Sequence, residues 1–389
     1  MKRFIMSDRW YLEESKAWFT STIENILFEV ELAANEARCL SKVPEEEDIF
    51  RKNPICFKHD DSIYCLPDRG KKIWRYYLSD NRWESIDCWV QEEKRLSVRY
   101  LKLGGDNYAL MNVGKRDVAI LDGRRGEILD TIHVSPNEDE ALGWYFCKDG
   151  LIWWISQSSP NVYLIDIASG KVERRHLGID GTGYCTISYG NGNVWVSGRE
   201  KRIYKLDEEL NLQETYELSD GFGTYHFCEK TDILLDCEMK DPNMPAFIES
   251  VSVGGKIWFV PLYTNQLVYI DTEDGSLGTF DIDYEEEDAT SAYYRIMCGK
   301  YMATYVRDNR YLVLFSIKNE WLIEIDTLEM DYRILDMTVD YDGLRECCEE
   351  LFLSEFYCEC KDFTVKDYFC QLQNPRYKFQ ADLRNGMIR

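Results

Sequence analysis

This sequence is poor in histidine and in positive charge. Four histidines stand among 389 residues, at 59, 133, 176 and 226, so imidazole acid–base chemistry has few places to occur. Lys and Arg total 46 against 70 Asp and Glu, a net charge of −24. A chain this negative repels phosphate backbones and anionic lipid at long range, so neither nucleic acid nor membrane is an expected partner. No apolar run of about 18 residues occurs, and the opening MKRFIMSDRWYLEESK has only Phe4, Ile5 and Met6 after its two cations. Neither a spanning helix nor a secretory leader is signalled, and the expected compartment is the cytoplasm. Gly-x-Ser-x-Gly, Walker, dinucleotide-fingerprint and His-Glu-x-x-His motifs are all missing, which leaves hydrolase, NTPase, dinucleotide and zincin readings without motif support.

Cysteine is plentiful, with 14 residues, but it lacks the pattern of a disulfide framework and contains no Cys-x-x-Cys pair. Cys56, Cys147 and Cys185 sit in short apolar runs and read as small buried hydrophobes. Cys347, Cys348, Cys358, Cys360 and Cys370 crowd the tail without a nearby histidine, and they too read as structural rather than zinc-binding. No metal and no cofactor is expected.

What the sequence does have is repetition. An apolar strand ending in an acidic or polar residue recurs, followed by a turn, as in NVYLID-IASGK at 161–171 and QLVYID-TEDGS at 266–276. Its last strand residues are Glu31, Tyr77, Asp122, Asp166, Asp207, Asp271 and Asp326, spaced by 46, 45, 44, 41, 64 and 55. About thirteen residues before each stands an apolar residue, usually aromatic: Trp18, Tyr64, Tyr108, Trp153, Trp195, Trp258 and Val313, with Tyr108 at fourteen and Trp195 at twelve. A further extended run precedes each aromatic, as in Tyr184 to Ser188, and another follows each anchor, as in Lys171 to His176. Four short strands in about 41 to 46 residues is the size of one propeller blade. The sequence thus predicts an all-β, seven-bladed β-propeller of four-stranded antiparallel blades over residues 8–338. The column of large rings is expected to fill the wedges between blades. Insertions fall at 221–246 and 284–300, both on connections from one blade to the next. Residues 339–389 lose the pattern and read as a helical tail packed on the propeller, with Thr364 and Asp367 set as a capping box.

Gly192-Asn193-Val194-Trp195-Val196 and Gly255-Lys256-Ile257-Trp258-Phe259 resemble the blade motif of the quinoprotein, NHL and virginiamycin-lyase-like propellers. The resemblance covers nearly the whole chain and implies the fold rather than an activity, since these propellers include lyases, hydrolases, sensors and scaffolds. Kelch and WD40 signatures are absent. The lyases of the group place histidine and glutamate together in their late blades. The comparable spacing here, His226 to Glu229, stands in the first insertion.

In such a propeller the loops joining second to third strands share a rim with the blade-to-blade connections, and ligands usually bind there. Those loops supply Asp68, Arg69, Lys71 and Lys72; Lys115, Arg116 and Asp117; and Arg199, Glu200, Lys201 and Arg202, eight cations against three anions. Gln157, Tyr263 and Asn265 come from the neutral loops and add hydrogen-bonding groups. The expected function is a non-enzymatic binding or interaction module. Its candidate ligand residues are Arg69, Lys72, Lys115, Arg116, Gln157, Arg199, Arg202, Tyr263 and Asn265, and its candidate partners are an anionic small molecule or a protein bearing an acidic segment. Acidic runs such as Glu45 to Asp48 and Glu285 to Asp288 on the same rim could equally neutralise these cations. Two further readings stay open: a metal-assisted lyase or hydrolase at the channel mouth with His226 as base, and a carbohydrate binder using Phe222, Tyr225 and Tyr263.

Overall fold

Near-continuous apolar runs such as IWWI at 152–155 and VYLI at 162–165 make strands with two greasy faces, and such sheets are stable only between neighbours. The computed structural model describes residues 10–339 except 14, 21–24, 35, 45–54, 68–71, 90–97, 113–115, 135–141, 181–183, 199–200, 219–245, 262–265, 283–300, 317–320 and 336–337. Those residues form seven sheets, each of four antiparallel strands paired in chain order, over 10–42, 55–87, 98–133, 142–176, 186–217, 247–281 and 301–335. This is the seven-bladed β-propeller expected from the repeats. The helical tail and the two insertions lie outside the described residues, except that Ala246 is described and buried and that Val339, the first residue of the expected tail, is in a strand. No helix among the described residues is long and apolar enough to cross a membrane.

The first strand of each blade is innermost, and adjacent innermost strands lie against one another around the ring, with Trp10–Glu13 of blade 1 meeting both Ile55–His59 of blade 2 and Tyr301–Arg307 of blade 7. Among the described residues the four antiparallel strands of each blade come from its own repeat. Thr338–Val339, just beyond blade 7, pairs in parallel with Glu36 and Ala37 on the outer strand of blade 1, as a fifth strand of that sheet.

Successive residues of one strand serve opposite neighbours. Trp153, Ile155, Val162 and Leu164 of blade 4 pack with Ile187, Val194 and Val196 of blade 5. Ile152, Trp154, Tyr163 and Ile165 of the same blade pack with Ala109, Met111 and Val118 of blade 3. All seven residues of the predicted packing column are buried, none more than 5% exposed. One of them faces the wrong way for that column. Tyr108 pairs across from Leu121 and packs on Phe57 and Tyr64 of blade 2, whereas Trp153 packs forward on blade 5. The residue of blade 3 in forward phase is Ala109, thirteen before Asp122, and its second and third strands pair without a bulge from Asn107 opposite Asp122 to Asn112 opposite Asp117. Trp195, by contrast, faces forward onto blade 6, and its spacing of twelve reflects a shorter loop. At the seam from blade 7 to blade 1 the column residue is Val313, and opposite it lies Glu324, 5% exposed, held by Arg307 and Arg333 at 2.5 and 2.8 Å.

The acidic anchors end the third strands and organise the turn to the outer strand. Asp166 Oδ1 accepts from the backbone N–H groups of Ala168 and Ser169 at 2.9 and 3.2 Å, and Oδ2 accepts from the Ser169 hydroxyl at 2.7 Å. Asp122, Asp207, Asp271 and Asp326 accept from turn N–H groups in the same manner. Aspartate fits because its short carboxylate reaches the backbone two and three residues on. Blade 2 has Tyr77 at this position, and Asp61 of the neighbouring hairpin supplies the carboxylate instead, accepting from Ser79 N–H at 3.2 Å. On the same rim, Asp149–Gly150, Asn191–Gly192 and Gly254–Gly255 join first to second strands with positive φ at both residues, the geometry that matches strand twist in two-residue hairpins.

Asp166→Ala should lower the urea midpoint slightly, with Asp166→Asn retaining part of the stability. The Arg310 guanidinium, helped by the N–H groups of Glu329 and Leu328, holds the Asp326 carboxyl down to about 2 from an ordinary 3.8. A depressed carboxyl stabilises the fold above its unfolded value and loses that contribution as pH falls through its folded value. Asp326→Asn should therefore be less stable than wild type at neutral pH, and the gap should shrink between pH of about 4 and about 2, as read by acid-dependent urea midpoints.

Candidate functional site

Four of the expected rim residues are described, and the fold puts all four where second strands hand over to third strands. Lys72 opens the third strand of blade 2, Lys72–Tyr77. Arg116 immediately precedes Asp117–Asp122 of blade 3, with φ 59°; its N–H donates to Asn112 O at 2.7 Å and its carbonyl accepts from Val134 N–H at 2.9 Å. Gln157 directly follows Leu151–Ser156 of blade 4 and lies over Gly143, where a Cβ would meet its Cγ at 3.0 Å. Arg202 opens Arg202–Leu206 of blade 5. Arg69, Lys115, Arg199, Tyr263, Asn265 and His226 lie outside the described residues, as do Phe222 and Tyr225.

Carboxylates stand among these cations. Arg202 Nε donates to Glu217 Oε1 at 2.7 Å, in a pair whose side chains are 45% and 64% exposed. Glu217 is the direct cross-strand partner of Arg202, and this bond, with one from Tyr204, raises the guanidinium pKa further. Asp117 accepts from His133 Nδ1 at 2.6 Å. The Lys72 ammonium lies 5.8 Å from the centroid of the Trp74 ring. The rim is thus both cationic and partly self-neutralised. An exposed pair such as Arg202–Glu217 contributes about 0–1 kcal/mol, so an incoming carboxylate can replace Glu217 at little cost.

The opposite rim, made of the tight turns, is a set of locks between blades. Lys58 Nζ reaches Glu13 of blade 1 at 2.6 Å, Lys148 Nζ reaches Glu208 of blade 5 at 2.7 Å, and Asn191 Nδ2 donates to Thr272 O of blade 6 at 2.6 Å. His59 belongs here. It ends the innermost strand of blade 2, is 8% exposed, and its Nδ1 lies 3.2 Å from Tyr108 Oη of blade 3. Its Nε2 stands 3.5 Å from Asp106 and 3.6 Å from Asp60 without a hydrogen bond to either. Burial raises the Tyr108 phenol, which stays protonated and donates toward Lys58 O at 3.4 Å. The sequence places His59 on this rim but gives no sign of its burial, because the groups around it come from two blades; the one local signal is the His59-Asp60-Asp61 run at a turn. Among the described residues no group of three or more His, Cys, Asp or Glu is arranged to hold a metal ion. His133 and His176 lie on outer strands, as expected.

Gly123 fits beneath this junction, where an added Cβ would stand 2.8 Å from the Tyr108 ring, 3.0 Å from His59 Cγ and 3.1 Å from Asp106 O. Gly123→Ala should cost about 1–3 kcal/mol in thermal or urea unfolding, because the crowding falls between two blades.

No protein-family model and no curated protein matches this chain. Solved structures do. BamB from Moraxella catarrhalis superposes with a TM-score of 0.53 at 10% identity, over 81% of this chain and 83% of that one. PorZ, a surface component of the type-IX secretion system of Porphyromonas gingivalis, gives 0.54 at 9%, over 87% of this chain and 39% of that one. The WD40 domain of Neurospora crassa Pan2 gives 0.52 at 9%, over 79% and 85%. At such identities the likeness is one of fold, the β-propeller.

Proposed function

We propose that this chain is a binding propeller whose second-to-third-strand rim takes an acidic segment of a protein partner. The observation that carries the reading is the placement of Lys72, Arg116 and Arg202 at equivalent strand junctions of blades 2, 3 and 5, with Gln157 at the junction of blade 4 between them. A row of cations on a molecule of net charge −24 is a local inversion of its field, and such inversions select a complementary patch while repelling bulk polyanions. The exposed Arg202–Glu217 pair supports the same reading, because one carboxylate already demonstrates the geometry that a partner's carboxylate would take over. Arg69, Lys115 and Arg199 belong to the same loops by sequence and would extend the row. The fold neighbours contribute the architecture, which is compatible with an interaction scaffold. The metal-assisted lyase or hydrolase reading rests on His226, and no geometry described for this chain favours it.

Fluorescence anisotropy with a short labelled Glu- and Asp-rich peptide tests the proposal, beside a peptide of the same length with Gln and Asn in their place. The acidic peptide should bind at low salt and weaken toward physiological ionic strength. The double variant Arg69→Ala, Arg202→Ala should weaken it by roughly tenfold or more, equivalent to about 1.4 kcal/mol. Equal binding of the neutral peptide, or an unchanged affinity in the double variant, overturns the reading.

A further inference from the structure

Cys56 and Cys65 stand directly opposite one another on the first two strands of blade 2, Ile55–His59 and Ser62–Leu66. The hairpin between them turns through Asp60 and Asp61 and closes on the pair His59 and Ser62. In an antiparallel ladder, hydrogen-bonded and non-hydrogen-bonded opposites alternate, and a two-residue turn closes on a hydrogen-bonded pair. Counting away from the turn, Lys58 with Ile63 is non-bonded, Phe57 with Tyr64 is bonded, and Cys56 with Cys65 is non-bonded. Opposites at a non-bonded site have Cα atoms about 4.5 Å apart and side chains on one face, within the window of about 4.4–6.8 Å that a disulfide spans.

The surroundings of the two sulfurs agree with that placement. Both side chains are fully buried against blade 1, in one cluster with Trp18, Leu27 and Tyr76, and the Cys56 thiol donates to Trp18 O at 3.3 Å. Burial pushes both thiols up, and the neighbouring Cys56 sulfur pushes Cys65 further, as expected for adjacent sulfurs. Among the described residues the other cysteines, Cys39, Cys88, Cys147 and Cys185, have no cysteine opposite them on a neighbouring strand.

We propose that Cys56 and Cys65 are a latent cross-strand dithiol, which a small disulfide oxidant of the oxidised-glutathione class converts to an intrachain disulfide. One cysteine, as thiolate, attacks the oxidant's S–S bond and releases one thiol, leaving a mixed disulfide. The second cysteine gives up its proton, attacks the protein sulfur of that mixed disulfide and releases the second thiol. The chain loses two protons and two electrons, and the oxidant gains both as it becomes two thiols. Reaction needs a thiolate in contact with solvent, and the closed ring denies this by covering the pair with Trp18 of blade 1. Oxidation therefore proceeds from states in which blade 1 has lifted from blade 2, and the bond then staples the inner hairpin of blade 2.

The full chain is incubated with millimolar oxidised glutathione, with and without sub-denaturing urea, then alkylated and digested with trypsin without reduction. Cleavage after Lys58 and Arg69 separates the two cysteines, so their bond appears as peptide 53–58 joined to peptide 59–69. That joined pair is expected to exceed every other cysteine pairing by roughly tenfold, and urea is expected to speed its appearance by a similar factor. Trp18→Ala should speed it without urea, and Cys56→Ser should leave Cys65 as the glutathione adduct. The proposal fails if both peptides stay alkylated while other cysteines pair, if pairing is statistical, or if the wild-type mixed disulfide persists unresolved.

Discussion

Everything in this propeller depends on filling the wedge between one twisted sheet and the next. A four-stranded blade by itself leaves both faces in water, and each face becomes stable only when the neighbour's side chains enter it. Fully burying a large apolar side chain stabilises by about 1.5–3 kcal/mol, and Trp154, Trp195, Trp258, Tyr64 and Tyr163 are all buried to within 1%. The same requirement explains why adjacent residues such as Trp153 and Trp154 are both large: they fill different wedges. It also explains why the outer strands, at the rim of each wedge, tolerate exposed charges such as Glu84, Arg174 and Glu214.

The seven wedges are not alike. Six carry apolar or aromatic forward faces, and at the seventh the forward face of blade 7 holds Val313 beside the carboxylate of Glu324 and its two arginines. A buried carboxylate is tolerated there because its oxygens are occupied on both sides, and removing one partner would leave an uncompensated charge. Polar locks between the tight turns do the corresponding work on one rim, where Lys58, Lys148 and Asn191 each reach across to a neighbouring blade. The rim proposed for binding has a different character. Arg202 is paired within its own blade and Lys72 is laid against the Trp74 ring, so a partner can compete for both without unlocking the ring.

Much of this was legible in the sequence because the fold repeats its physics. The anchors Asp122, Asp166, Asp207, Asp271 and Asp326 recur since each carboxylate has the same turn to hold, and the packing column recurs since each wedge needs a side chain at the same depth. The exceptions were hidden for stated reasons. In blade 3 the column position is held by the small Ala109, and the ring of Tyr108 one residue earlier draws the eye, so Tyr108 looks like a neighbour of Trp153 in the column when it faces the other way. Asp61 replaces the missing anchor of blade 2 from a different hairpin, which no spacing within the third strand reveals. The candidate rim was legible as loop composition, but the Arg202–Glu217 bond required the register of third and outer strands. The burial of His59, created by blade 3, stayed invisible because no residue near it in the chain supplies it.

Closure by Thr338 and Val339 on the outer strand of blade 1 also sets an order of events during synthesis. Trp10, Phe19 and Phe28 stack on one another at 4.2 and 4.9 Å, on the face of blade 1 that turns away from blade 2. The surface that covers this stack belongs to blade 7, encoded some three hundred residues later. At ribosomal rates of about 5–20 residues per second, that aromatic face and an unpaired strand edge wait for tens of seconds without their partner. The first blade to emerge is therefore the last to be sealed, and the nascent chain has to survive that interval with its stickiest surface open.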